Sequence, residues 1–112
     1  PTIEEIHHTE KKDAPSGTAI SLAEGLLKHL GHRNDWHLEG RSREQAGSIP
    51  IISQREGQVP GTHTVSYRSK IDDIEIRHTA HSRKGFALGA VLVTEWIKNK
   101  KGILGMEDFL KL

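Results

Sequence analysis

The chain has 112 residues, with 16 Lys and Arg against 15 Asp and Glu for a formal net charge of +1, eight histidines and no cysteine. That length suits one domain with a modest core. The near-neutral balance supplies no field to recruit nucleic acid or an anionic membrane, and the lack of cysteine excludes disulfides and thiolate metal sites.

Residues 2–8 form a short strand candidate in which Ile3, Glu5 and His7 share one face while Ile6 and His8 take the other. For His7 and His8 to line one pocket, the strand must end or bend between them. The chain begins at Pro1 with almost no lead-in to this strand, which suggests that residues precede it.

A polar loop carries Lys11, Lys12 and Asp13 into a Pro15-Ser16-Gly17-Thr18 turn. An amphipathic helix over residues 17–30 follows, with Ala19, Leu22, Ala23, Leu26, Leu27 and Leu30 on one stripe and Gly31 as its stop. Ser16 is the expected N-cap. The amides around Gly17 and Thr18 would lie at the positive end of the helix, where a carboxylate or phosphate is favoured. His7, His8 and Lys11 are candidate proton donors beside such an anion, because imidazole changes charge near neutral pH and lysine is a cationic donor. Asp13 reads as a turn or capping residue and Lys12 as solvated. Spacing alone also admits a blander outcome, an ordinary N-cap next to a solvated histidine pair.

Residues 32–48 are polar and without a sustained period, so they read as a solvated loop that Trp36 and Leu38 tack down by a short extended piece. Three strand signals come next. Residues 49–53 are apolar and β-branched, with Pro50 marking a strand start or an edge. Thr62–Arg68 places His63, Val65 and Tyr67 on one face, and Ile74–Ala80 places Ile74, Ile76 and His78 opposite Glu75, Arg77 and Thr79. With residues 2–8 these give an α+β fold: about four strands in a mostly antiparallel or mixed sheet, two main helices on one face, and the other face open. The second helix, residues 85–98, is so apolar that burial on more than one side is expected. Lys98, Lys100 and Lys101 complement its negative end and Gly102 stops it. Met106–Leu110 reads as a last helical turn. The histidine spacings do not form a helical ligand pair, so no metal site is expected. No Gly-x-Gly-x-x-Gly turn follows a strand, which leaves this chain without an evident dinucleotide cradle of its own.

His7-His8, Lys11 and the string Asp13-Ala14-Pro15-Ser16-Gly17-Thr18-Ala19 together resemble the signature of the 4-hydroxy-tetrahydrodipicolinate reductase (dihydrodipicolinate reductase) family. Gly61-Thr62-His63-Thr64-Val65 resembles a later strand of that family, although Thr62 stands where many relatives have glutamate. Ile74–Ala80 with Ser82-Arg83 and Phe86-Ala87 resembles its last strand and the turn into its long helix, and Arg41-Ser42-Arg43-Glu44 resembles a short Ser-Arg-Glu string of some members. The likeness concerns the C-terminal domain alone.

The resemblance implies that residues 1–112 are a substrate-binding and oligomerisation domain whose N-terminal dinucleotide-binding domain is absent from this chain. It implies an oxidoreductase acting on a CH–CH group, converting 4-hydroxy-tetrahydrodipicolinate to tetrahydrodipicolinate on the diaminopimelate route to lysine, in the cytoplasm. NADPH or NADH would be bound mainly by the missing domain, leaving the fragment inactive without it. By position His7 and Lys11 become catalytic, His8, Gly17 and Thr18 contact substrate, and Arg83 contacts cofactor. The implied partners are a small dicarboxylate and further copies in a homotetramer built through the sheet, with no metal, nucleic acid or membrane. The alternative is a fragment that acts only as a tetramerisation module without activity.

Overall fold

In the computed structural model, which describes residues 1–40 and 46–112, strand alternation and one apolar helical stripe organise the unit Pro1–His81. The elements are β1 (Thr2–His7), α1 (Gly17–Leu27), β2 (Asp35–Leu38), β3 (Ser48–Arg55), β4 (Thr62–Arg68) and β5 (Asp73–Thr79). The Arg41-Ser42-Arg43-Glu44 string lies outside the described residues.

The strands form one mixed sheet in the order β2-β3-β1-β4-β5. Strands β2, β3 and β1 run parallel, whereas β4 adds antiparallel to β1 and β5 antiparallel to β4. The sheet has five strands rather than about four, because β2 lies within the stretch read as a loop. Its four residues are too few to show a period, and only pairing of Trp36 with Ile49 and Leu38 with Ile51 makes them a strand. Strand β3 also runs on to Arg55, two residues past the apolar run.

Register turns this alternation into transverse rows on one sheet face. Leu38, Ile51, Ile3, Val65 and Ile76 stand side by side across all five strands. Two residues along, the row becomes Ser53, Glu5, His63 and His78, and the next pair is Arg55 beside His7. One face therefore grades from hydrocarbon to titratable groups within two steps of the pleat. The opposite face of the same strands carries Glu4, Gln54, Thr64 and Arg77.

Helix α1 covers the apolar rows. Ala19 and Ala23 are buried with Ile3, Ile49, Ile51 and Val65, and Leu22, Leu26, Leu27, Leu30 and Trp36 pack around them. Ile3, Ile49 and Ile51 are fully buried; each such side chain stabilises the fold by roughly 1.5–3 kcal/mol. Ser16 is the N-cap, its Oγ accepting the Ala19 N–H at 3.2 Å. The helix ends at Leu27, short of the expected Leu30, since the His29 N–H turns back to the Leu26 carbonyl and tightens the last turn before Gly31 is reached.

The unit Ser82–Leu112 contains α2 (Lys84–Ile97) and α3 (Met106–Leu110). Trp96 meets Phe109 edge-on at 5.4 Å between ring centres, with the Lys100 ammonium 4.8 Å from the Trp96 ring, so a small aromatic cluster joins the two helices. Helix α2 ends at Ile97, and Asn99, just past the cap residue Lys98, takes with its φ of 69° the left-handed stop expected further on at Gly102. Within this unit taken by itself no α2 residue is buried. Among the described residues no helix is long and apolar enough to cross a membrane.

Candidate functional site

The polar rows end where β1, β3, β4 and the start of α1 converge. Glu5 is the centre of this end, a fully buried carboxylate on the face it shares with Ile3 and His7. Its Oε1 accepts from the Ser16 N–H at 3.1 Å and from Arg55 Nη2 at 3.0 Å. Its Oε2 accepts from Arg55 Nη1 at 3.1 Å and lies 2.5 Å from His7 Nδ1. A buried charge is tolerated only when paired and fully hydrogen-bonded, and Glu5 meets both conditions through a bidentate guanidinium, an imidazole and a helix-start amide. Burial by itself would raise the Glu5 carboxyl, but the bonds from Arg55 and His7 outweigh it and hold the group below its ordinary value.

Arg55 spreads the network further. Its Nε donates to the Lys11 carbonyl at 3.3 Å, and its Nη2 donates to the Asp13 carbonyl at 2.6 Å. One side chain thus pins the backbone on both sides of Lys12. The Lys11 ammonium pairs with Asp13 Oδ1 at 2.9 Å, and this bond holds the Asp13 carboxyl below its ordinary value. Asp13 is therefore a partner of Lys11 as well as a turn residue.

His63 completes the arrangement from β4. Its Nε2 is 3.1 Å from Ser16 Oγ, and its ring meets that of His7 edge-on at 5.1 Å between centres. Burial, followed by the repulsion that a protonated His7 would exert, lowers the His63 pKa and favours its neutral form. Beside it opens a cleft of about 210 Å³ lined by Thr18, Leu22, His63, Val65, Ile76 and His78. The Ser16 N–H is committed to Glu5 and the Ala19 N–H to Ser16 Oγ. Among the described residues this leaves Gly17 and Thr18 as the helix-start amides without a protein partner.

The sequence-derived residues are thus partly gathered. His7 is the last residue of β1 and His8 lies just beyond it, so the strand does end between the two histidines. His7, the Lys11 loop and the start of α1 are tied together through Glu5 and Arg55, and Thr18 opens onto the cleft beside His63. Among the described residues His8 forms no side-chain bond to this network. Arg83 is the residue before α2 in the other unit and makes no side-chain capping bond.

Sequence reasoning overlooked Glu5 and Arg55. The signal for Glu5 was available, since an acid between Ile3 and His7 on the inward face of a strand requires a partner. Arg55 carried no such mark, because it meets Glu5 across 50 residues of chain.

Comparison with known proteins gives the family. The family profile described as "Dihydrodipicolinate reductase, C-terminus" matches residues 1–110. A protein of Christiangramia forsetii named 4-hydroxy-tetrahydrodipicolinate reductase is 54% identical over 108 residues, covering 96% of this chain and 44% of that protein. One of the same name from Methanosarcina acetivorans is 44% identical, with 98% of this chain and 42% of that protein covered. The solved structure of a dipicolinate-bound dihydrodipicolinate reductase from Paenisporosarcina sp. TG-14 aligns with a TM-score of 0.71 at 26% identity, over 96% of this chain and 43% of that one. The chain spans less than half the length of these relatives. The profile runs through nearly every residue, and the motif residues Lys11, Ser16 and His7 meet at one end of the sheet, so the chain belongs to the dihydrodipicolinate reductase family, as its C-terminal domain.

Proposed function

We propose that this chain is the substrate-binding and assembly domain of a reductase that converts 4-hydroxy-tetrahydrodipicolinate to tetrahydrodipicolinate on the diaminopimelate route to lysine. The observation that carries the reading is that one carboxylate–guanidinium pair ties together an imidazole, an ammonium-bearing loop and the Ser16 amide, which immediately precedes the two free helix-start amides, next to a cleft. The Gly17 and Thr18 amides, with His8, hold a carboxylate of the substrate. Lys11 and His7 handle the proton that accompanies reduction, and the fixed charges orient a dianionic ring before reaction. A relative bound to dipicolinate, a planar pyridine dicarboxylate, supports a ligand of that class.

The residues present do not build a dinucleotide cradle, because neither long helix follows a strand through a Gly-x-Gly-x-x-Gly turn. NADPH or NADH therefore belongs to a separate N-terminal domain, with Arg83 as this chain's candidate contact. When bound there, a reduced nicotinamide supplies the hydride. Self-association is a second role of the same domain. It is favoured by edge strand β5, whose seven residues are all exposed, Ile74 and Ile76 among them. A homotetramer built through the sheet, working in the cytoplasm, follows from this reading.

Titration of the chain with pyridine-2,6-dicarboxylate, followed by NMR, is expected to move the Gly17 and Thr18 amides and the His7 and His8 ring signals saturably. Absence of any saturable shift at these four residues overturns the substrate site. In the complete reductase, Lys11→Ala is expected to lower kcat on the order of 10²-fold with dinucleotide affinity unchanged, and wild-type turnover would remove the role of Lys11.

A further inference from the structure

We infer that Glu5 and Arg55 form a positioning couple that selects the tautomer of His7 and locks the imidazole, the Lys11 loop and the helix start into one frame. The inference deepens the substrate-site reading and rests on it. Four observations carry it. Glu5 is fully buried, and both of its oxygens are occupied. Oε2 faces His7 Nδ1 at 2.5 Å; a carboxylate only accepts, so the His7 proton must sit on Nδ1, leaving Nε2 as the ring nitrogen that exchanges protons. Oε1 holds the Ser16 N–H, the residue immediately before the two free amides. Arg55 clamps Glu5 from the neighbouring strand and also holds the Lys11 and Asp13 carbonyls, which fixes the loop that presents the ammonium. Without this couple the three groups would sit on separate elements with no common anchor.

The geometry predicts a sharp response to Glu5→Gln. The glutamine carbonyl takes the Oε1 position, since both donors there, the Ser16 N–H and Arg55 Nη2, are fixed, whereas of the two at Oε2 only Arg55 Nη1 is fixed and the imidazole can become an acceptor by changing tautomer. Its amide nitrogen is then left facing His7 Nδ1 as a donor. His7 must accept at Nδ1 and move its proton to Nε2, so one nearly isosteric change inverts the tautomer. An orienting carboxylate of this kind acts through the histidine and touches no substrate.

The test has a spectroscopic and a kinetic arm. Ring ¹⁵N NMR of the wild-type chain is expected to show neutral His7 protonated on Nδ1, and Glu5→Gln is expected to move that proton to Nε2. In the complete reductase, Glu5→Gln is expected to lower kcat on the order of 10²-fold or more while the dinucleotide KM stays within about threefold. A wild-type His7 carrying its proton on Nε2 overturns the inference, and this result does not depend on whether the variant folds. His7→Asn separates the two readings. If His7→Asn abolishes turnover while Glu5→Gln retains wild-type kcat, the positioning couple falls and the substrate site stands. If His7→Asn itself keeps wild-type kcat, both fall.

Discussion

Replacing Arg55 by methionine keeps much of the apolar stem and removes the guanidinium, and the consequence can be worked from the contacts. Five hydrogen bonds disappear: two to Glu5 and one each to the carbonyls of Lys11, Gln54 and Asp13. Glu5 stays fully buried with its charge opposed only by His7 and the Ser16 amide. Removing one partner of a buried ion pair typically costs about 3–5 kcal/mol. Here the Arg55 side chain is 20% exposed against 0% for Glu5, which places the loss near the lower end, about 3 kcal/mol. For a domain of this size that is roughly 15 °C in Tm, and a large share of a typical stability of about 5–15 kcal/mol. Urea unfolding followed by far-UV circular dichroism gives the number directly, provided the slope is unchanged. Adding Glu5→Gln to Arg55→Met is expected to recover about half the loss, because the uncompensated charge goes while the loop carbonyls stay unpaired. Arg55→Met within about 0.5 kcal/mol of wild type would refute the account of Glu5 as a buried anion that depends on its guanidinium.

Two further outcomes follow from the same site. Glu5 and His63 both have folded pKa values below their ordinary 4.5 and 6.5, so in each case the unfolded chain binds protons more readily. The His63 contribution is complete above pH 6.5 and erodes as pH falls toward its lowered value, while that of Glu5 is complete above pH 4.5 and is lost below it. Urea midpoints measured across this range should fall in two stages, and His63→Gln should remove the upper one; an unchanged upper stage would count against His63. A Cβ added at Gly61 would lie 3.1 Å from His7 Nε2, so Gly61→Ala must push the ring aside. The expected result is about 1 kcal/mol of lost stability and a kcat on the order of tenfold lower in the complete reductase, with unchanged His7 ring shifts as the contrary finding.

Much of this molecule was legible one residue at a time. The stripe from Ala19 to Leu27, the cap at Ser16 and the inward face of Ile3, Glu5 and His7 are local patterns, since pleat and helical period decide which side chains share a face. The motif residues were likewise readable by resemblance. Helix ends were read less well: Gly31 and Gly102 looked like stops, but a tightened turn at Leu26 and the left-handed Asn99 act earlier in the chain. Composition made α2 apolar all round, and within the unit Ser82–Leu112 by itself none of its residues is buried.

The sequence by itself determined which faces are apolar, where the first helix begins and which family the loop resembles, because those depend on spacing within a few residues. Tertiary structure alone decided that Asp35–Leu38 is a paired strand, that Arg55 reaches Glu5 and that His63 stands over Ser16. Those outcomes depend on sheet register, which brings together groups 47 and 50 residues apart. The need of a buried carboxylate for donors shows in one residue, but the identity of its donors emerges only when the strands pair.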